Sequence, residues 1–515
     1  MSNVVGVQYS IESFFRQTRG WHISLVALIA IVCSVVSQDL AAQEPRRNPN
    51  IVIILVDDMG YGDVRANFSE SQIPTPNIDR LALQGMRFTD AHSGAAVCSP
   101  TRYGLLTGRS FSRQPWSTIG LQLWASMIDE KRLTLGELMQ ANGYHTGAFG
   151  KWHLGQTFYD KNGQPTGPGA DTDWSRPSTG GPNDQGFDVF FGVPFTHGHG
   201  LWAFMSNRLV TEVPTEVVNI RTPRAKGYRP ENAMPTTTRK ALEYIDWNAR
   251  QRPGKPFFLY FPTVAIHDPI LPSPQFIGKS PVGPYGDFVM QTDAAVGQIV
   301  AKLKQHGLLE DTLIIVTSDN GSAGLAGNGD LKEFPFGSVL TRYGHKMNGD
   351  WRGIKGTLWE GGHRVPFIAS WPGHIQPNSV TSELIVLDDL MATIAAILGV
   401  KLPPHSAEDS YNILPYLDGT HTGLPIRKYA VLNTLNGDPF LRKGKWVLSF
   451  HLGSGGQFTT NELPVPGGPQ GQLYDLEADP QQTTNVWLMY PKVVASLTAF
   501  YKAHVARSSS FGINR

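Results

Sequence analysis

Asn50-Ile51-Val52-Ile53-Ile54-Leu55-Val56 runs without a polar break into Asp57-Asp58. A continuous β-branched run of this kind predicts a strand covered on both faces, because a strand with one wet face would alternate apolar and polar residues. Three further stretches repeat the design. Thr312-Leu313-Ile314-Ile315-Val316-Thr317 ends in Ser318-Asp319-Asn320-Gly321, and Phe257-Phe258-Leu259-Tyr260-Phe261 leads through a proline to His267. His145-Thr146-Gly147-Ala148-Phe149 leads to Gly150-Lys151-Trp152-His153-Leu154-Gly155. Helical spacing lies between these runs, over Pro76 to Gly85 and over Gln291 to His306, where Ala295, Val296, Ile299, Val300 and Leu303 recur on one face. Alternating strands and helices predict an α/β fold with a large, mostly parallel sheet flanked by helices on both faces.

In open parallel sheets ligands bind beyond the carboxyl ends of the strands. All four polar clusters lie at such ends, so residues distant in sequence are placed along one edge. Each cluster alone also fits a helix cap, a turn or a solvated face; together they read as a site. Asp57, Asp58, Asp319 and Asn320 offer only oxygen donors, which suits a hard divalent cation such as calcium or magnesium rather than zinc. Arg102, Lys151 and Lys355 supply positive charge, and His153 and His267 are available for proton transfer. A cation among fixed positive charges suits a sulfate or phosphate ester.

The 515 residues allow one large core and a smaller second domain, divided here as 48–400 and 401–515. A formal net charge of +1, with 17% charged residues and no long run of one sign, gives no reason to expect nucleic acid as a partner. Residues 1–42 read as an export signal, with Arg16 and Arg19 before the apolar Ile23 to Val36 and a small-residue cleavage site at Leu40-Ala41-Ala42. If this segment is not cleaved, it is the chain's one route to a membrane; Cys33 also leaves lipid attachment open. The expected location is periplasmic or secreted.

Of the two cysteines, Cys33 lies in that segment, so Cys98 stands alone in the mature chain and no internal disulfide forms. A lone cysteine usually serves as a small buried apolar residue. Here Cys98-Ser99-Pro100-Thr101-Arg102 is the pattern read by the enzyme that oxidises cysteine to formylglycine. The stretch from Cys98 to Gly108 predicts a short helix that starts at the cysteine and ends at a glycine. Its first N–H groups would face the anion that Cys98 handles.

With these residues in hand, the chain resembles the formylglycine-dependent sulfatases of the alkaline phosphatase superfamily, of the arylsulfatase and N-acetylgalactosamine-6-sulfatase type. The resemblance rests on Asp57-Asp58-Met59-Gly60-Tyr61-Gly62-Asp63, the Cys98 motif, the Lys151 and His153 cluster, His267 and Ser318-Asp319-Asn320-Gly321. It continues through Arg352-Gly353-Ile354-Lys355-Gly356, Trp359-Glu360-Gly361-Gly362-His363-Arg364-Val365-Pro366 and Leu473-Tyr474-Asp475-Leu476 with Asp479-Pro480, from about Pro49 to Trp487. It implies a sulfuric ester hydrolase with a calcium ion held by Asp57, Asp58, Asp319, Asn320 and residue 98. Cys98 would become formylglycine (3-oxoalanine) through a formylglycine-generating enzyme. One hydroxyl of its hydrate, activated near Asp319, would attack sulfur to give a covalent sulfate ester; the second, deprotonated with help from His153, would expel sulfate. By the same resemblance Arg102 holds the formylglycine, Lys151 and Lys355 bind sulfate oxygens, and His267 protonates the leaving alcohol with Lys355 assisting.

The substrate is expected to be a small-molecule or oligosaccharide sulfate ester, a sulfated carbohydrate above others, contacted from Asp160 to Gln185, Thr196 to Val213 and Phe334 to Trp351. In these segments His197, His199, Trp202, His345, Lys346 and Trp351 have the mixture of rings and hydrogen-bonding heads that suits a sugar, although each alone also suits loop packing. His197 and Trp351 are the chosen candidates. The part from Leu402 onward, with strand-like Lys428 to Asn433 and Lys445 to Phe450 and a closing helix over Pro491 to Val505, is expected to form a small antiparallel sheet. Two other functions remain open at this stage: a formylglycine-dependent phosphoric or phosphonic ester hydrolase, and an inactive calcium-dependent carbohydrate-binding protein.

Overall fold

The computed structural model describes residues 48–114, 124–196, 200–218, 222–327, 331–456 and 464–509. The expected signal segment, His197 and His199 lie outside the described residues.

The run that opened the sequence analysis is strand β1, Asn50–Val56, and all seven of its residues are buried. Side chains alternate between the two faces of a strand, so complete burial means that both faces of the sheet are covered. The ten strands of the large sheet are β1, β2 (Met86–Phe88), β3 (His145–Lys151), β4 (Val189–Val193), β5 (Met205–Ser206), β6 (Leu209–Val210), β7 (Phe257–Pro262), β8 (Thr312–Ser318), β9 (Phe367–Ser370) and β10 (Ser379–Thr381). Their spatial order is β10-β2-β9-β8-β1-β7-β3-β4-β5-β6. The contiguous centre β8-β1-β7-β3-β4 is parallel throughout, whereas β9 runs antiparallel to β8 and β5 antiparallel to β4. Two groups of helices flank the sheet. Helices α1 (Pro76–Gln84), α3 (Ala233–Gln251) and α4 (Gly283–Gln305) form one, with α4 touching both of the others. Helix α2 (Cys98–Thr107) belongs to the second, with the short helices Leu135–Ala141 and Leu390–Ile397.

The register decides where the chemistry falls. Val56 pairs with Ser318, Leu55 with Pro262, Tyr260 with Ala148 and Lys151 with Val193. The carboxyl ends of β8, β1, β7 and β3 therefore lie side by side.

A separate four-stranded antiparallel sheet is built from β11 (Tyr429–Asn433), β12 (Pro439–Lys443), β13 (Trp446–Ser449) and β14 (Gln472–Asp475). Its period-two alternation serves two layers. Ala430, Leu432, Phe440, Val447 and Tyr474 pack against Leu358, Trp359 and Val386 of the large part. Their neighbours Val431, Leu441, Leu448 and Leu473 pack on Leu497 of the closing helix α5, Pro491–Ser509. Residues 49–515 form one compact unit. No helix among the described residues is long and apolar enough to cross a membrane.

Candidate active site

Helix α2 begins at Cys98, as its sequence predicts, and closes on Gly108 in the left-handed conformation at φ 64°. Cys98 and Arg102 stand one helical turn apart and so share a face. The Cys98 sulfur lies 3.4 Å from Asp57 Oδ1 and 3.9 Å from Asp58 Oδ1. Arg102 donates from Nε and Nη2 to Asp319 Oδ2 at 2.9 and 2.7 Å, and from Nη1 to the Lys151 carbonyl at 2.6 Å. The guanidinium thus grips Asp319 and the β3 terminus rather than residue 98 itself. Lys151 Nζ donates to Asp57 Oδ2 at 2.6 Å, while Lys355 Nζ lies 2.7 Å from Asp58 Oδ1 and 2.9 Å from Asp58 Oδ2. Asn320 Nδ2 donates to Asp58 Oδ1 at 2.6 Å.

Three carboxylates, Asp57, Asp58 and Asp319, therefore face three cations, Arg102, Lys151 and Lys355. All but Lys355 have side chains with 5% exposure or less. Such a set survives burial only because its charges are paired at hydrogen-bonding distance. The backbone is shaped to bring them together. Asp58 and His153 adopt left-handed φ values of 65° and 57°, unusual outside glycine and tolerated where packing and hydrogen bonds hold them. The Asp58 N–H is held by Asp319 Oδ1 at 3.1 Å, and the Met59 N–H by Ser318 Oγ at 2.9 Å. Gly150, at φ 132°, lets β3 pass β7 closely: a Cβ there would stand 1.8 Å from the Pro262 carbonyl oxygen.

Burial, reinforced by the Asp319 and Asp57 carboxylates, pushes the Cys98 thiol far up despite Lys151 and Lys355. An unmodified Cys98 is held as a thiol and is a poor nucleophile. Burial also drives both histidines well below the ordinary imidazole range, with Lys151 and Arg102 adding to the effect at His153 and Lys355 at His267. Both rings are neutral at neutral pH. His267 Nδ1 faces the Asp268 carbonyl at 2.7 Å, and a carbonyl can only accept, so Nδ1 carries the proton and Nε2 the lone pair. The Asp58 carboxylate, with Cys98, Asp57 and Asp319, raises Lys355 well above the usual lysine value against the opposing effect of burial.

Asp57, Asp58, Cys98 and His267 each place one ligand atom within 4.8 Å of the others. The Asn320 Oδ1 acceptor is buried with no hydrogen-bond partner. Carboxylates beside an orphaned amide oxygen fit a hard cation. The residues chosen at the four strand ends, with Cys98 and Lys355, thus meet in one cluster. His267, which the sequence places on this edge, also offers a ligand atom to the group.

The substrate-loop candidates fare differently. His345 is buried, with Nε2 2.9 Å from Asp63 Oδ1, and so points beneath the site rather than into a substrate loop. Lys346 is exposed and paired with Asp350 at 2.7 Å. Trp351 is half-buried between the Arg364 guanidinium, 4.1 Å from its ring centre, and Tyr61. Trp202 packs on Tyr228. Tyr285 and Ser322 are buried behind the Asp58 turn; Tyr285 lies in a Gly- and Pro-rich stretch ahead of the helical spacing over Gln291 to His306, and no local chemistry in the sequence marks it.

The carboxyl edge of the central parallel strands thus carries a buried cysteine among paired carboxylates and fixed cations. The chain belongs to the Sulfatase family, which matches residues 49–400. It is 30% identical over 490 residues to an N-acetylgalactosamine-6-O-sulfatase of Bacteroides thetaiotaomicron, covering 88% of this chain and 92% of that protein. With human arylsulfatase A it shares 33% identity over 473 residues, covering 85% and 83%. A solved structure from work on glycosaminoglycan metabolism by Bacteroides thetaiotaomicron superposes with a TM-score of 0.77 at 30% identity, covering 89% of this chain and all of that one. The protein is a sulfuric ester hydrolase.

Proposed function

We propose that the protein is an exported sulfatase that removes sulfate from a sulfated carbohydrate, with formylglycine at position 98 and a calcium ion beside it. The observation that carries this reading is the Cys98 side chain at the head of α2, set between Asp57 and Asp58 and ringed by Arg102, Lys151, Lys355, His153 and His267. Relatives that include an N-acetylgalactosamine-6-O-sulfatase support a sugar sulfate as substrate. The arrangement favours sulfatase chemistry over the inactive binding protein, because binding alone needs neither a modification sequence nor two neutral histidines at the reacting centre.

Asp57, Asp58, Asp319, Asn320 and residue 98 would hold the cation, with Asp319 also steadied between Arg102 and the Asp58 N–H. Calcium would supply positive charge to sulfate oxygens and to the hydroxyl at residue 98. Lys151 and Lys355 are placed to take the remaining sulfate charge, since each is anchored on one carboxylate and has further N–H donors. His267 keeps its proton on Nδ1, so its Nε2 takes a proton first and delivers it to the leaving oxygen when the anionic substrate has raised its basicity. His153, also neutral, is the matching acceptor for a proton from residue 98.

Three measurements on purified enzyme test the reading. Peptide mass spectrometry is expected to find formylglycine at residue 98, and a panel of sulfated mono- and oligosaccharides is expected to yield free sulfate. Chelation is expected to abolish turnover and calcium to restore it. Active enzyme with only cysteine at position 98, or turnover of phosphate esters in preference to sulfate esters, overturns it.

A further inference from the structure

Behind the Asp58 turn lies a buried set of side chains that touches no reacting group yet ties together three segments that carry the site. Asp63, 0% exposed, accepts from the Tyr285 hydroxyl at 2.5 Å and the Gly60 N–H at 2.8 Å on Oδ2, and from His345 Nε2 at 2.9 Å on Oδ1. The Tyr285 oxygen also lies 2.7 Å from Ser322 Oγ. Proton placement follows from the partners. The Tyr285 hydroxyl gives its one hydrogen to Asp63, so the Ser322 hydroxyl donates to Tyr285. Ser322 Oγ in turn accepts from the Gly324 N–H at 2.9 Å.

The Ser322 backbone extends the chain of bonds. Its carbonyl accepts from the Lys355 N–H at 3.1 Å and from Asn348 Nδ2 at 3.2 Å, while its N–H donates to Asn348 Oδ1 at 2.9 Å. Asp63 closes the turn that begins at Asp57 and Asp58; Ser322 follows Asn320 by two residues; Lys355 is the cation on Asp58. A single tyrosine on α4 thus joins the turn after β1, the loop after β8 and the Lys355 loop. With no ring hydroxyl at that point, Asp63 and Ser322 would face each other across a gap that neither side chain fills.

We infer that Tyr285, with Asp63 and Ser322, is a positioning residue that fixes the spacing of Asp58, Asn320 and Lys355, and through them the affinity of the site for its divalent cation. This rests on the calcium-dependent reading above. The partners that orient the groups around a metal commonly carry ten- to a hundredfold of its affinity, and Tyr285 occupies that place without contacting the cation position.

The test uses the full-length enzyme and calcium alone as probe. Tyr285→Phe keeps the ring and removes the hydroxyl; Ser322→Ala is the second variant should the first fold poorly. Calorimetric titration of metal-stripped protein, well below the melting temperature, is expected to show a calcium dissociation constant raised about ten- to a hundredfold. Turnover is expected to fall at low calcium and to recover towards the wild-type kcat at saturating calcium. A variant that melts earlier but binds calcium as the wild type does overturns the inference, as does a turnover defect that saturating calcium does not relieve. A wild type that takes up no calcium overturns the reading of the site and this inference with it; wild-type uptake matched by both variants overturns the inference alone.

Discussion

Two buried clusters in this protein have nearly the same composition and do opposite things. At the sheet edge, three carboxylates, three cations and two histidines surround Cys98. At the junction with the small sheet, Asp90 and Glu360 face Arg364, Arg442, His92 and His363. There Arg364 lies 2.7 Å from Asp90 and 2.6 Å from Glu360, Arg442 lies 3.0 Å from Asp90, and His92 bridges Asp90 at 2.8 Å and His363 at 2.9 Å. His92, Glu360 and His363 even place ligand atoms within 4.8 Å of one another, as Asp57, Asp58, Cys98 and His267 do.

The difference lies in satisfaction and strain. The six side chains Asp90, His92, Glu360, His363, Arg364 and Arg442 have no buried polar atom without a partner, and two guanidiniums already take up the carboxylates that a metal would need. At the sheet edge His153 Nδ1, Asn320 Oδ1 and the Tyr260 hydroxyl are all buried and unpartnered, and two residues hold left-handed backbone. Buried charge by itself therefore marks structure as readily as function; unmet hydrogen-bonding capacity in a strained frame marks the site. The junction is a clamp. Arg442 comes from β12 and the other members from the large part, so the paired charges hold the small sheet against it.

Removing the residue 98 side chain should give the largest contrast between the two clusters. Cys98→Ala is expected to lower sulfate release at least about a thousandfold while the melting temperature stays close to wild type; retained turnover would refute the assignment of the nucleophile. Glu360→Gln should do the reverse. It leaves Arg364 and Arg442 short of a counter-charge in a buried setting, a loss on the order of 3–5 kcal/mol, seen as an earlier urea midpoint. If turnover falls while the midpoint does not move, the junction is no mere clamp.

The pH dependence sharpens the comparison further. Burial lowers His363 to about 3, with Glu360 opposing and His92 adding to the shift. The unfolded histidine, titrating near 6.5, then binds more protons than the folded one between pH 6.5 and about 3. Stability is accordingly expected to fall as pH drops through that window, by up to about 1.4 kcal/mol per pH unit from this group. A His363→Asn protein should show a shallower acid limb in thermal melts, and an unchanged limb would assign the slope elsewhere.

A second pH effect, of opposite sign, belongs to Asp388, whose Oδ1 is buried without a partner against Gly104 of α2, where a Cβ would stand 2.1 Å from it. Burial raises this carboxyl to about 8, with Arg427 opposing. Because the folded value lies above the unfolded one, its contribution is full below about pH 3.8 and is lost as pH rises through about 8. Asp388→Asn should therefore equal wild type in acid and melt a few degrees higher at pH 9. Equal melting at both values would mean that the carboxyl finds a partner on ionising.

Much of this could be read in the chain. The unbroken β1 run, its echoes at Thr312 and Phe257, and the polar residues ending each strand announced a covered parallel sheet and a site on its edge. Burial of every β1 residue follows from that pattern. Less legible were the flanking strands β2, β5, β6, β9 and β10, which are two to four residues long and too short for a period to show. His345 and Tyr285 were equally hidden, for a different reason. A side chain's type announces what it can bond, but only the packing of α4 and the 345–348 loop onto the Asp58 turn selects the partner.

The division between sequence and tertiary structure follows from the range of the forces involved. Periodicity, helix punctuation and the Cys98 motif act over a few residues, so sequence alone determined strands β1, β3, β7 and β8, the helix that starts at Cys98 and the chemical types of the site. Register, pairing and burial join residues hundreds of positions apart. Only the tertiary structure decided that Arg102 grips Asp319, that Lys355 sits on Asp58, that burial keeps His153 and His267 neutral, and that one of two similar charged clusters is a clamp.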